Sequence, residues 1–90
     1  MTAQDKDAVL ADLAGYRVTL AAIRRDYLLC HELAEEWQIK ATAAMVAGDS
    51  DAEEFGQASF LFWRNCEREG FEQHATLLAC IRVLEKELTK

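Results

Sequence analysis

The feature that most constrains this chain is an apolar residue that recurs at alternating steps of four and three along the first half of the sequence. Such a 4-3 repeat is typical of a helix that packs along its whole length on another helix. The repeat consists of Val9, Leu13, Tyr16, Leu20, Ile23, Tyr27, Cys30, Ala34, Trp37, Ala41 and Ala44. It passes Gly15 without a change of step, so the sequence predicts one long first helix.

The only clear interruption lies at residues 47–50. Gly48 can adopt the left-handed conformation that ends a helix. The segment Asp49–Asp51 supplies N-cap candidates for the next helix, and Ser50–Glu53 matches a capping box. We therefore predict an all-α protein of one domain over residues 1–90, an antiparallel hairpin of two long helices. The first helix should span about residues 5–46, the turn 47–50 and the second helix about 51–88. This turn pairs residue i with about residue 97 − i.

The predicted second helix has two adjacent apolar stripes. One consists of Trp63, Cys66, Gly70, Leu77, Cys80 and Leu84, and the other of Phe60, Phe71, His74, Leu78, Ile81 and Leu88. An apolar face this wide needs two helical neighbours, and a short chain buries a modest part of its surface alone. The simplest solution is a homodimer that forms a four-helix bundle. The alternatives are a three-helix monomer broken at Gly70 and a complex with a different protein.

The predicted core and the predicted partner-binding surface are separate sets of residues. The core seam should include Leu13, Tyr16, Leu20, Ile23, Tyr27, Trp37, Trp63, Leu77 and Leu84. Several apolar residues of the first helix lie off this seam and cannot all point at the second helix; the best candidates for a binding surface among them are Val18, Leu28, Leu29 and Leu33. Because apolar residues in a line on a surface favour a contact, we expect these four to bind a partner protein. The alternative use of the same residues is the homodimer interface.

Composition narrows the possible partners and the compartment. The net charge is −6, and the basic residues never cluster beyond Arg24-Arg25, so the electrostatic footprint of nucleic-acid binding is missing. No apolar run approaches the ~20 residues of a membrane span, and the acids near residue 1 do not fit a secretory signal. Three cysteines without a CxxC pair indicate reduced thiols. We expect a cytoplasmic protein.

No residue pattern indicates catalysis, because the chain contains neither a nucleophile elbow nor a phosphate-binding loop. The best candidate for a metal site combines Cys30, His31 and Cys66 with a nearby glutamate, Glu32, Glu35 or Glu67. Zinc accepts these ligands, but cysteines at seam positions also serve as small core residues. The sequence therefore predicts no catalytic residue, metal or cofactor. It favours a protein–protein interaction module such as an adaptor, inhibitor or chaperone-like protein. The alternative is a metal- or ligand-binding four-helix bundle.

Overall fold

The computed structural model describes residues 2–90, which form two long helices packed against each other as an antiparallel hairpin. Helix α1 spans Ala3–Ala47 and helix α2 spans Ser50–Leu88. The predicted all-α hairpin is confirmed. The molecule measures 68 × 15 × 13 Å, and its radius of gyration of 20.0 Å far exceeds the ~12 Å of a compact domain of this length. The hairpin is thus a rod with a single layer of two helices.

The first helix begins at a complete capping box. The hydroxyl of Thr2 accepts a hydrogen bond from the Asp5 amide at 3.2 Å, and the Asp5 carboxylate accepts one from the Thr2 amide at 3.1 Å. This reciprocal pair satisfies two amides that a helix otherwise leaves unpaired. It starts α1 two residues before the predicted position. The helix then continues through Gly15, where an added Cβ would meet no atom within 4 Å.

The turn between the helices is a Schellman motif followed by an aspartate cap. Gly48 has the left-handed φ of 73°, and the amides of Gly48 and Asp49 donate to the carbonyls of Met45 and Ala44 at 3.1 and 3.0 Å. The side chain of Asp49 then accepts from the Ala52 amide at 3.1 Å. Of the N-cap candidates Asp49, Ser50 and Asp51, the structure selects Asp49, and the capping box that the sequence suggested at Ser50 is not formed. Asp49 is the last residue in an extended conformation, and Ser50 is already helical.

Two glycines of α2 mark where the helices approach most closely. A Cβ on Gly56 would lie 2.9 Å from the Cβ of Ala41, and a Cβ on Gly70 would lie 2.6 Å from the Cβ of Tyr27. Both pairs have residue numbers that add up to 97, so the predicted register is confirmed. Helix α2 runs through Gly70 without a break, and the three-helix alternative is therefore wrong. The glycine makes room for the other helix instead of ending its own.

The interface between the helices is narrow. Within residues 2–90, the buried residues are Leu13, Ala34, Ala41, Gly56 and Ile81. Other predicted core residues are half-buried, namely Leu20, Ile23, Tyr27, Trp37, Trp63, Leu77 and Leu84, whereas Tyr16 is 39% exposed. On α2 the positions that face the α1 seam are Glu53, Gly56, Phe60, Trp63, Glu67, Gly70, His74, Leu77, Ile81, Leu84 and Leu88. This seam draws residues from both predicted stripes, and it leaves Phe71 and Cys80 exposed.

Candidate interaction surface

Many large apolar side chains lie on the surface of the hairpin. In the described part of the chain, thirteen are exposed, compared with four buried hydrophobic residues. The accessible surface of the chain is 6527 Å², whereas a compact monomer of 10.2 kDa has about 5,300 Å². The excess of about 1,200 Å² is larger than the ~800 Å² that one protein contributes to an interface of standard size. The hairpin therefore has enough uncovered surface for a stable contact with another chain.

The structure separates the four residues that the sequence grouped as a partner-binding surface. Val18, Leu28 and Leu29 are exposed by 72%, 45% and 54%, whereas Leu33 is half-buried. Leu28 lines the groove between the helices. Val18 and Leu29 are eleven positions apart, about three helical turns, so they share a line on the outer edge of α1. The four residues do not form one continuous patch.

The hairpin has two faces, one on each side of the plane that contains both helix axes, and a groove follows each face. One groove is lined by Arg17, Arg24, Arg25, Leu28, Arg68 and Phe71, with His31, His74 and the carboxylate of Glu67. We call this the basic face. The other groove is lined by Asp26, Glu69 and Glu72 together with Ile23, Cys30, Cys66 and Leu77. We call this the acidic face; residues 19–30 and 66–80 contribute no lysine or arginine to this part of its groove, whereas Lys40 lies over the Trp37 ring nearer the turn.

Several of these charges have no partner within the hairpin. Arg17 lies 4.0 Å from Glu85, and Arg25 lies 3.8 Å from Asp26. On the basic face, Arg24 and Arg68 have no carboxylate oxygen within 4.0 Å in the described part of the chain. On the acidic face, Glu69 and Glu72 have no basic nitrogen within that distance among residues 2–90. These two arginines and two glutamates can therefore pair with charges on another chain.

A cluster of polar side chains joins the two helices near the middle of the basic face. The Nδ1 of His31 hydrogen-bonds the carboxylate of Glu67, and its Nε2 lies 3.0 Å from Glu35 Oε1. Arg64 donates to Glu67 at 2.9 Å. Partial burial of Glu67 raises its pKa, but the hydrogen bonds from Arg64 and His31 outweigh this effect and hold the pKa below its usual value. Glu67 thus stays ionised within the helix interface.

Glu67 is the residue of this cluster whose role sequence reasoning missed, because the sequence pattern indicated it only as a possible metal ligand. Its position could have been found from the 4-3 spacing of α2, in which Glu67 follows Trp63 by four residues and precedes Gly70 by three. That spacing predicts a seam position, but a carboxylate there conflicts with the apolar pattern. The carboxylate is tolerated at this seam position because Arg64, one turn earlier on α2, and His31 on α1 both bind it.

The structure places two residues of the candidate metal site on one face of the hairpin and the third on the other face. Cys30 and Cys66 line the groove of the acidic face, whereas His31 points to the basic face and both its ring nitrogens contact carboxylates. Among residues 2–90, no group of three or more His, Cys, Asp or Glu side chains could hold a metal ion. Burial, and then the neighbouring Cys66 and Asp26, raise the pKa of the Cys30 thiol. Cys30 therefore remains a neutral thiol in the seam.

Comparisons with known proteins give no relative for this chain. No protein-family model, no curated protein and no solved structure matches it. Within residues 2–90, neither helix combines the length and the apolar character that crossing a bilayer requires. The function must therefore be inferred from the exposed faces of the hairpin.

Proposed function

We propose that this protein is a protein–protein interaction module without catalytic activity, which packs the faces of its hairpin on helices of another chain, first of all a second copy of itself. The observation that supports this function is the excess of about 1,200 Å² of accessible surface over a compact monomer of the same mass. Adaptors, inhibitors and chaperone-like proteins all work through such contacts. A cytoplasmic location fits the three free thiols.

The geometry of the hairpin favours helices as the bound elements. In the hairpin each helix has one neighbour, whereas each helix of a four-helix bundle has two. A groove runs between α1 and α2 on each face, and an amphipathic helix binds such a groove through apolar residues spaced by one helical turn. Exposed rings lie along α2, with Phe71 60% and Phe62 58% exposed. A second hairpin supplies two helices at once and forms the bundle predicted from the sequence.

The test is a double substitution of exposed rings, Phe62→Gln with Phe71→Gln. We expect the variant to remain helical, because both rings are largely exposed, and to associate at least about tenfold more weakly than the wild type, since exposed aromatic residues often dominate binding. Sedimentation velocity measures association, and circular dichroism measures helix content.

A matched control replaces apolar residues on the outer edge of α1, Ile39→Gln with Val46→Gln. These side chains are 71% and 80% exposed, and they are seven positions apart on the side of α1 away from α2. The control should associate like the wild type. If the two double variants behave alike, or if the wild type does not associate at all, the proposed function is wrong.

A further inference from the structure

We propose that two copies of this chain associate with the basic face of one hairpin against the acidic face of the next. This inference depends on the proposed function and adds to it the identity and orientation of the partner. It starts from the separation of charge between the two faces. Four arginines line one groove, together with the carboxylate of Glu67, whereas the part of the other groove formed by residues 19–30 and 66–80 carries three carboxylates and no lysine or arginine.

Charge complementarity decides which faces meet. Arg24 and Arg68 lack a carboxylate partner within their own hairpin, and Glu69 and Glu72 lack a basic one, among the residues that the structure describes. All four side chains are exposed. When the basic face meets the acidic face, each unpaired charge gains a partner of opposite sign. Such complementarity fixes the orientation of a complex and increases its rate of formation.

Contact between two identical faces is disfavoured by the same charges. Two basic faces would bring Arg24 and Arg68 of both copies together, and two acidic faces would do the same for Glu69 and Glu72. Like charges that face each other across an interface are strongly unfavourable. In addition, each chain carries a net charge of −6, so two copies repel unless their charges are separated and oriented. Opposite faces therefore provide the favourable way for this chain to meet itself.

The area and the apolar groups suit this arrangement. Leu28 and Phe71 on the basic face are exposed, and the acidic groove offers Ile23, Cys66 and Leu77. Two hairpins joined in this way form a four-helix bundle that still has one free basic face and one free acidic face. Because this contact joins two different surfaces, it does not close after two copies unless the assembly bends into a ring. We expect species larger than a dimer as the protein concentration rises.

Two charge-reversal variants test the inference. One is Arg24→Glu with Arg68→Glu, and the other is Glu69→Arg with Glu72→Arg. All four sites are exposed on the helices, so both variants should fold, which circular dichroism verifies. At low salt each variant alone should lose association by about a hundredfold or more, because both of its faces then carry charge of one sign. An equimolar mixture of the two should associate again.

Two controls accompany this experiment. The first is Lys86→Glu with Lys90→Glu, which changes the net charge as much as the first variant does but at the end of α2; it should associate like the wild type. The second is the wild type in ~1 M salt, where the Debye length is about 3 Å and association should weaken at least about tenfold.

The outcomes separate this inference from the proposed function. If each reversed variant alone associates as the wild type does, or if their mixture does not associate, the contact does not join these two faces and the inference is wrong. Self-association through other surfaces would then remain. If the wild type is monomeric at low salt and high concentration, the inference and the proposed function both fail.

Discussion

At the scale of single residues, Gly70 limits how closely the two helices approach each other. The Cβ that Gly70 lacks would lie 2.6 Å from the Cβ of Tyr27 and 3.6 Å from its Cα. These atoms belong to the backbone of α1 or are attached to it directly, so a rotamer change of Tyr27 cannot make room. An alanine at position 70 therefore forces the helices apart. Gly15 provides the contrast, because no atom lies within 4 Å of the position of its missing Cβ.

We predict opposite effects of alanine at these two glycines. Gly15→Ala should raise the free energy of unfolding by up to about 1 kcal/mol, the difference in helix propensity. Gly70→Ala has the same gain in propensity, but crowding of the interface costs about 1–3 kcal/mol, and we expect a net loss. Urea denaturation at low protein concentration measures both changes. A stabilised Gly70→Ala variant would mean that the helices are farther apart than described.

Glu67 gives the stability of the hairpin a dependence on pH. Its pKa is lowered in the folded protein, because the hydrogen bonds from Arg64 and His31 outweigh partial burial, whereas an unfolded glutamate titrates near about 4.3. The ionised carboxylate thus contributes its full stabilisation above that value. The contribution disappears as the pH falls through the lower pKa of the folded state.

We predict that Glu67→Gln is less stable than the wild type at neutral pH, by about 1–2 kcal/mol for the lost charged hydrogen bonds. The difference should shrink as the pH falls below about 4. Urea denaturation at several pH values measures it. Glu36→Gln is the control, since Glu36 forms an exposed pair with Lys40 of the kind that contributes only about 0.3–0.5 kcal/mol. A deficit of Glu67→Gln that stays constant down to pH ~3 would contradict this role of the Glu67 carboxylate.

At the scale of helices and the turn, the sequence predicted the features that depend on residue spacing and failed where local conformation and the placement of charges decide. The 4-3 repeat and Gly48 were sufficient for two helices, one turn and the register that pairs Gly70 with Tyr27. The capping residue was not determined, because Asp49 and Ser50 are both good capping residues and only the backbone conformation distinguishes them. The basic and acidic faces were not predicted, because the net charge and the order of charges along the chain were considered without assigning each charged residue to a face of the hairpin.

The cap yields a prediction with an internal control. Asp49→Ala removes the side chain that accepts from the Ala52 amide, and we expect it to lower the free energy of unfolding by about 1 kcal/mol. Ser50→Ala changes a residue that the sequence favoured as the cap but that lies inside α2. It should change stability by less than about 0.5 kcal/mol. The reverse order of the two effects in thermal or urea denaturation would assign the cap to Ser50.

At the scale of the whole molecule, the hairpin buries few residues and leaves much of its apolar surface exposed to solvent. A rod of 68 × 15 × 13 Å has a high ratio of surface to volume, and the five buried residues of the described chain form a small core for a protein of 90 residues. Hydrophobic burial scales with the apolar area removed from water, so association with other helices adds stability that the single chain lacks. Stability and association should therefore rise together with protein concentration.

The most direct test of association through the exposed faces is the mass of the wild-type protein in solution, measured by sedimentation equilibrium at low salt over a range of micromolar concentrations. We predict a mass well above that of one chain, 10.2 kDa, which increases with concentration and falls again in high salt. A mass of one chain at every concentration would contradict the proposed association, because the exposed faces would then remain uncovered in the free protein.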